Sequence, residues 1–98
     1  MAGVQTKRLF DKSIRKVPKE YIESIFNIFA HIKTIEEIHA VIAMPSVLAI
    51  KGHKNFYRMR IGNYRLGFEF DPNSTEQILF LHFFGPRGDF YKNFPPKK

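Results

Sequence analysis

Three arginines, Arg58, Arg60 and Arg65, sit in a stretch whose spacing fixes where they point: Tyr57-Arg58-Met59-Arg60-Ile61-Gly62-Asn63-Tyr64-Arg65-Leu66-Gly67-Phe68. Gly62-Asn63 suits the left-handed backbone of a two-residue hairpin turn. A hairpin closed there pairs Ile61 with Tyr64, Arg60 with Arg65, Met59 with Leu66 and Arg58 with Gly67. Side chains alternate across a strand, so the stretch sorts into two faces. Tyr57, Met59, Ile61, Tyr64, Leu66 and Phe68 form an apolar face, and Arg58, Arg60 and Arg65 form a cationic one. Like charges opposite each other destabilise a strand pair. A fold tolerates them most easily where the face meets an anion, and guanidinium groups bind phosphate through paired hydrogen bonds.

The balance of charge points the same way. The 98 residues carry 16 Lys and Arg against 9 Asp and Glu, a formal net charge of +7. No acidic residue falls between Glu37 and Glu69, while Lys51, Lys54, Arg58, Arg60 and Arg65 all do. Nucleic acid, an acidic protein or an anionic surface is the expected partner. With no cysteine, disulfides, thiolate-zinc sites and thiol catalysis are excluded. His31 and His39 have no ligand spacing with any carboxylate, so no metal or other cofactor is expected. The first residues lack the apolar run of a signal peptide, and no apolar stretch is long enough to span a bilayer. The expectation is a cytoplasmic protein with no membrane contact.

The hairpin needs elements to hold it. The length and an apolar fraction of 44% predict one domain, residues 1–98, with a modest core. Val4 to Phe10 reads as a short strand, and Asp11 as the cap of a short helix through about Lys16. Pro18 suits the first turn of a second helix over about Lys19 to Lys33, where Ile22, Ile25, Phe26, Phe29 and Ile32 recur at helical spacing. Thr34-Ile35-Glu36-Glu37 reads as the opening of a short helical turn capped by Thr34. Pro45 rules out a long helix through the apolar run that follows. Asp71-Pro72-Asn73-Ser74 is a turn, and Ile78 to Phe84 a central strand covered on both faces. Gly85-Pro86-Arg87-Gly88 ends that strand, and Lys97-Lys98 reads as a mobile basic tail. The predicted class is α+β: an antiparallel sheet of about four strands with a mixed edge and two N-terminal helices on one face, in the order β-α-α-β-β-β. Those helices cover the apolar hairpin face and leave the arginine face open.

Ile50-Lys51-Gly52, then Phe56 through Leu66, then Arg87-Gly88-Asp89-Phe90-Tyr91-Lys92, together resemble the RelE/ParE toxin superfamily of bacterial type II toxin–antitoxin pairs. The shared pattern is a Lys-Gly turn, a Tyr-Arg-x-Arg-x-Gly-(Asp/Asn)-Tyr-Arg hairpin and a C-terminal Arg-x-Asp-hydrophobic-Tyr element. The resemblance implies one of two activities. RelE-like members, HigB-like ones included, are ribosome-dependent, metal-independent endoribonucleases that promote attack of an mRNA 2′-hydroxyl on the adjacent phosphate. ParE-like members inhibit DNA gyrase and are not nucleases. A toxin that only binds its antitoxin is a third possibility. The implied partners are a cognate acidic antitoxin, in a hetero-oligomer, and the ribosome with its mRNA.

Carried over by position, the resemblance makes Arg65, Arg87 and Tyr91 the candidate catalytic residues. Lys51, Lys54, Arg58 and Arg60 become candidate RNA contacts. Such a cleavage needs phosphate charge offset, a base for the 2′-hydroxyl and an acid for the leaving 5′-oxygen. Arginine supplies the first and is a poor base. Pro86 stands where many relatives carry a histidine, which removes a titrating group from that position. His82, in the last strand, and His53, before the hairpin, are the remaining acid–base candidates. Each has a bland reading beside it: a hydrogen-bonded core histidine for His82, a packed ring for Tyr91, a rim charge for Arg87, and a turn cap for Asp89.

Overall fold

The computed structural model describes residues 2–96; the expected tail at Lys97-Lys98 lies outside the described residues. The elements run β1 (Ala2–Thr6), α1 (Arg8–Ser13), a 3₁₀ turn (Ile14–Lys16), α2 (Lys19–Phe29), α3 (Ile35–Ile42), β2 (Val47–Ala49), β3 (Phe56–Ile61), β4 (Tyr64–Phe70), β5 (Gln77–Pro86) and α4 (Arg87–Asn93). The class is α+β, as predicted. The sheet has five strands in the order β1-β5-β4-β3-β2, with β1 parallel to β5 and the other pairs antiparallel.

The hairpin has the register its sequence dictates: Ile61 faces Tyr64, Arg60 faces Arg65, Met59 faces Leu66 and Arg58 faces Gly67. Gly62 takes the turn's positive φ, +59°. Met59, Leu66 and Phe68 are fully buried beneath the helices, with Tyr57, Ile61 and Tyr64 packed around them. Ile25 and Phe29 of α2 and Ile38 and Val41 of α3 complete that core.

Local chemistry explains where boundaries differ from the sequence reading. β1 stops at Thr6: the Lys7 N–H makes a last bond to Leu81 O, and Lys7 is already the N-cap from which the chain turns into α1. That puts Asp11 inside the first turn of α1, where a carboxylate still suits the helix dipole. Pro18 is the N-cap of α2, one place earlier than expected, and its carbonyl accepts from Tyr21 and Ile22. The same helix ends at Phe29, not Lys33. The Glu37 carboxylate takes the Lys33 and Thr34 N–H groups at 2.9 and 3.0 Å while Thr34 Oγ1 accepts from Glu37 N, a capping box that starts α3. Phe26, expected on the buried stripe, is left 63% exposed.

Three elements exceed the predicted order: α3, expected only as a short helical turn, is a helix of eight residues, and β2 and α4 are additional. β2 follows the Pro45 break and pairs Val47 with Met59. α4 begins one residue after the strand-ending proline. It lies on the sheet face opposite the other helices, where Phe90 and Phe94 form a second small core with Phe83, Phe56 and Ile50. The arginine face is therefore partly covered, not wholly open. Phe94 lies so close to Gly67 that a Cβ there would meet its ring at 2.6 Å.

Candidate phosphate-binding site

Arg58, Arg60 and Arg65 share one face of the β3–β4 hairpin, on the side away from α1, α2 and α3. Arg60 is exposed, and Arg58 and Arg65 are half-buried. Arg65 Nη1 donates to Tyr64 O at 3.1 Å and, more weakly, to Gly62 O at 3.4 Å, so its head is folded back over the turn. Arg87 joins from another element. Pro86 is the N-cap of α4, and the Arg87 N–H donates to Asn63 O at 3.1 Å. That bond fixes the start of α4 to the tip of the hairpin. Tyr91 follows one helical turn after Arg87, on the same side of α4, 60% exposed and edge-on to Phe90.

The electrostatics record this convergence. Burial, then the charges of Arg58, Arg87 and Arg60, push the Arg65 guanidinium below its ordinary pKa, and Tyr91 acts on it in the opposite direction. Among the described residues none of these arginines is paired with a carboxylate; the sole ion pair joins His82 to Glu69. Asp89, a candidate to orient Arg87, makes no such bond, and its carbonyl instead accepts from Asn93 Nδ2. Unopposed cations on adjacent strands are costly unless an anion lies between them.

The other candidates stand apart. Lys51 and Lys54 are exposed in the loop before β3, four residues or more from Arg58, roughly 13 Å along a strand. His53 lies in the same loop, its ring stacked near Phe56 at 6.3 Å. His82 Nε2 and Glu69 Oε1 are 2.8 Å apart, and the imidazole packs against Phe56 and Phe94. Glu69 lies four positions beyond Arg65 on β4, so this histidine belongs to the second core and not to the arginine cluster. Among the described residues, no three His, Asp or Glu side chains converge as metal ligands would.

Sequence reasoning missed two residues that shape the site, Asn63 as acceptor for Arg87 and Gly67 as the floor for Phe94. A glycine inside a strand does signal close approach of another group. Nothing in the sequence announced the Asn63 carbonyl contact.

No protein-family model and no curated protein sequence matches the chain. Solved structures do. A chain of the RelB–RelE antitoxin–toxin complex from Methanococcus jannaschii is 27% identical, with a TM-score of 0.65 over 92% of this chain and 98% of that one. The archaeal RelE–RelB complex from Pyrococcus horikoshii OT3 gives 20% identity and a TM-score of 0.66 over 91% and 98%. The DinJ–YafQ complex of E. coli gives 9% and 0.63 over 93% and 99%, a likeness of fold. The arginine hairpin is thus carried, along nearly its whole length, on the fold of these structures, and the chain resembles the RelE/ParE-like toxin superfamily.

Proposed function

We propose that this protein is the toxin of a type II toxin–antitoxin pair, a ribosome-dependent, metal-independent mRNA endoribonuclease acting in the cytoplasm as a single domain. The observation that carries the reading is the convergence of Arg58, Arg60, Arg65 and Arg87 beside exposed Tyr91 with no described carboxylate among them. A scissile phosphate seated there would gain charge-assisted hydrogen bonds that strengthen as negative charge develops on its oxygens. Arg65, with its neighbours already crowding it, gains most from an arriving anion. Tyr91 would stack on a base of the message or donate a proton to the leaving 5′-oxygen. Lys51 and Lys54 would act at longer range, as part of the field that draws in the strand. The solved relatives are held in complexes with RelB or DinJ. An antitoxin of acidic character fits the same cationic face here.

The test is cleavage of a defined message by purified protein with and without ribosomes. Cut sites that need the ribosome support the reading. Intact message under both conditions refutes it.

One observation favours a second reading. Pro86 caps α4 at the position where a histidine would bring a titrating ring to the arginines. A protein lacking that group suits a ParE-like inhibitor of DNA gyrase, or a chain that retains antitoxin binding alone. Induction in cells separates them: loss of protein synthesis follows from the first reading, DNA breaks with SOS induction from gyrase inhibition, and undisturbed growth from antitoxin binding alone.

A further inference from the structure

Strand β1 leaves β5 at the Thr6–Leu81 pair, so β5 from His82 to Pro86 has no neighbouring strand on that side. Helices α1 and α4 flank this bare edge, one on each face of the sheet. Between them lies a cleft of about 380 Å³, within the range of small-ligand sites, about 300–1,000 Å³. Half-buried Tyr64 lies along its wall, and Phe84, fully buried, backs it, their ring centroids 5.4 Å apart. Asp89 and Asn93 of α4 give it polar atoms, and Lys12 and Lys16 stand at its α1 side. The cleft reaches Tyr64 and Pro86, the chain neighbours of Arg65 and Arg87, while the arginines themselves lie outside its lining.

A second concentration of charge surrounds it. Between residues 7 and 19 stand Lys7, Arg8, Lys12, Arg15, Lys16 and Lys19 against Asp11 alone. All six are exposed, and among the described residues none forms an ion pair. A cleft edged by a tyrosine, with lysines at its mouth and the arginine cluster nearby along the chain, offers a single strand a seat for a base and cations for its backbone.

We propose that this cleft is a subsite for single-stranded RNA, which seats the base of a nucleotide flanking the phosphate held by the arginines, with its own phosphates on Lys12 and Lys16. The proposal rests on the nuclease reading, and extends the bound strand from α4 across the end of β5 to α1. Asp89 and Asn93 offer hydrogen bonds to the edge of the base.

The experiment is binding of a fluorescein-labelled single-stranded RNA oligonucleotide to the full chain, followed by anisotropy across a salt series. The Lys12→Gln/Lys16→Gln double variant is expected to bind more weakly. Its plot of log affinity against log salt should be shallower by about 1.4, at about 0.7 per phosphate contact. Lys33→Gln, at the start of the α3 capping box, serves as the control and should leave the slope close to the parent's. RNA carrying 4-thiouridine should crosslink to the peptide that contains Tyr64. An unchanged slope in the double variant, while Arg65→Gln weakens binding, overturns the subsite and leaves the nuclease reading standing. Binding that none of these substitutions alters overturns both.

Discussion

The N–H of Arg87 donates to the carbonyl of Asn63 at 3.1 Å, and this bond joins the first residue of α4 to the turn between β3 and β4. Two segments more than twenty residues apart thereby present their arginines to one another. The bond uses main-chain atoms on both sides, so the site's geometry is set by the fold and its charge by the side chains.

That separation makes charge removal a clean test. Arg65→Ala and Arg87→Ala should each lower message cleavage by about 10²-fold or more, the scale of losing one preorganised donor to a developing oxyanion. Both variants should keep cooperative thermal unfolding by circular dichroism. Growth inhibition that persists in both would rule out this site.

The cluster should also cost stability. Arg60 faces Arg65 directly, and opposed like charges cost about 0.2–1 kcal/mol. Arg60→Gln is expected to raise the melting temperature at low ionic strength. Added salt should narrow the gap, because screening relieves the parent more than the variant. A variant that melts lower than the parent in low salt would contradict the account.

Gly67 carries the ring of Phe94. Gly67→Ala puts a methyl group where that ring lies, and overpacking of this kind costs about 1–3 kcal/mol. The melting temperature should drop, and Gly67→Ala/Phe94→Ala should lose less than the sum of the two single changes. Strict additivity would show that the contact is not shared.

The Glu37 carboxylate is held below its usual pKa, chiefly by the Lys33 N–H, then by the Thr34 hydroxyl. A depressed carboxylate stabilises the fold above its unfolded pKa, and the contribution fades as pH falls through the lower folded value. Glu37→Gln should therefore melt below the parent at neutral pH, with the difference shrinking in acid on the low side of the ordinary glutamate range. A difference that grows with acid would reverse the sign.

Much of this was legible from the residues. Alternation plus a Gly-Asn turn fixed the hairpin register to the residue, because a one-place slip would have buried three arginines. Thr34 and Glu37 announced their capping box. What stayed hidden depends on contacts between distant segments. The three residues of β2 carry too little pattern to be seen alone, and exist because β3 offers an open edge. α4 is not visible in the residues, since Gly85, Pro86 and Gly88 read as the end of a strand and discourage regular structure nearby. Its stability comes from Phe90 and Phe94 seated on the far side of the sheet. His82 had no assignable face for a related reason: the pairing slips where Gly67 faces Phe83 but Phe68 faces Leu81.

That slip leaves His82 as the extra residue of β5. Upstream of it, odd-numbered side chains look toward α2; downstream, even-numbered ones do, so Leu81 and Phe84 enter the same core while Phe83 turns outward to meet α4. A single inserted amino acid thus acts as a frame shift in space. Deleting it would restore strict alternation and leave Phe83 and Phe84 on their present faces, so α4 should keep its anchor and Arg87 its place, with only the His82–Glu69 pair lost.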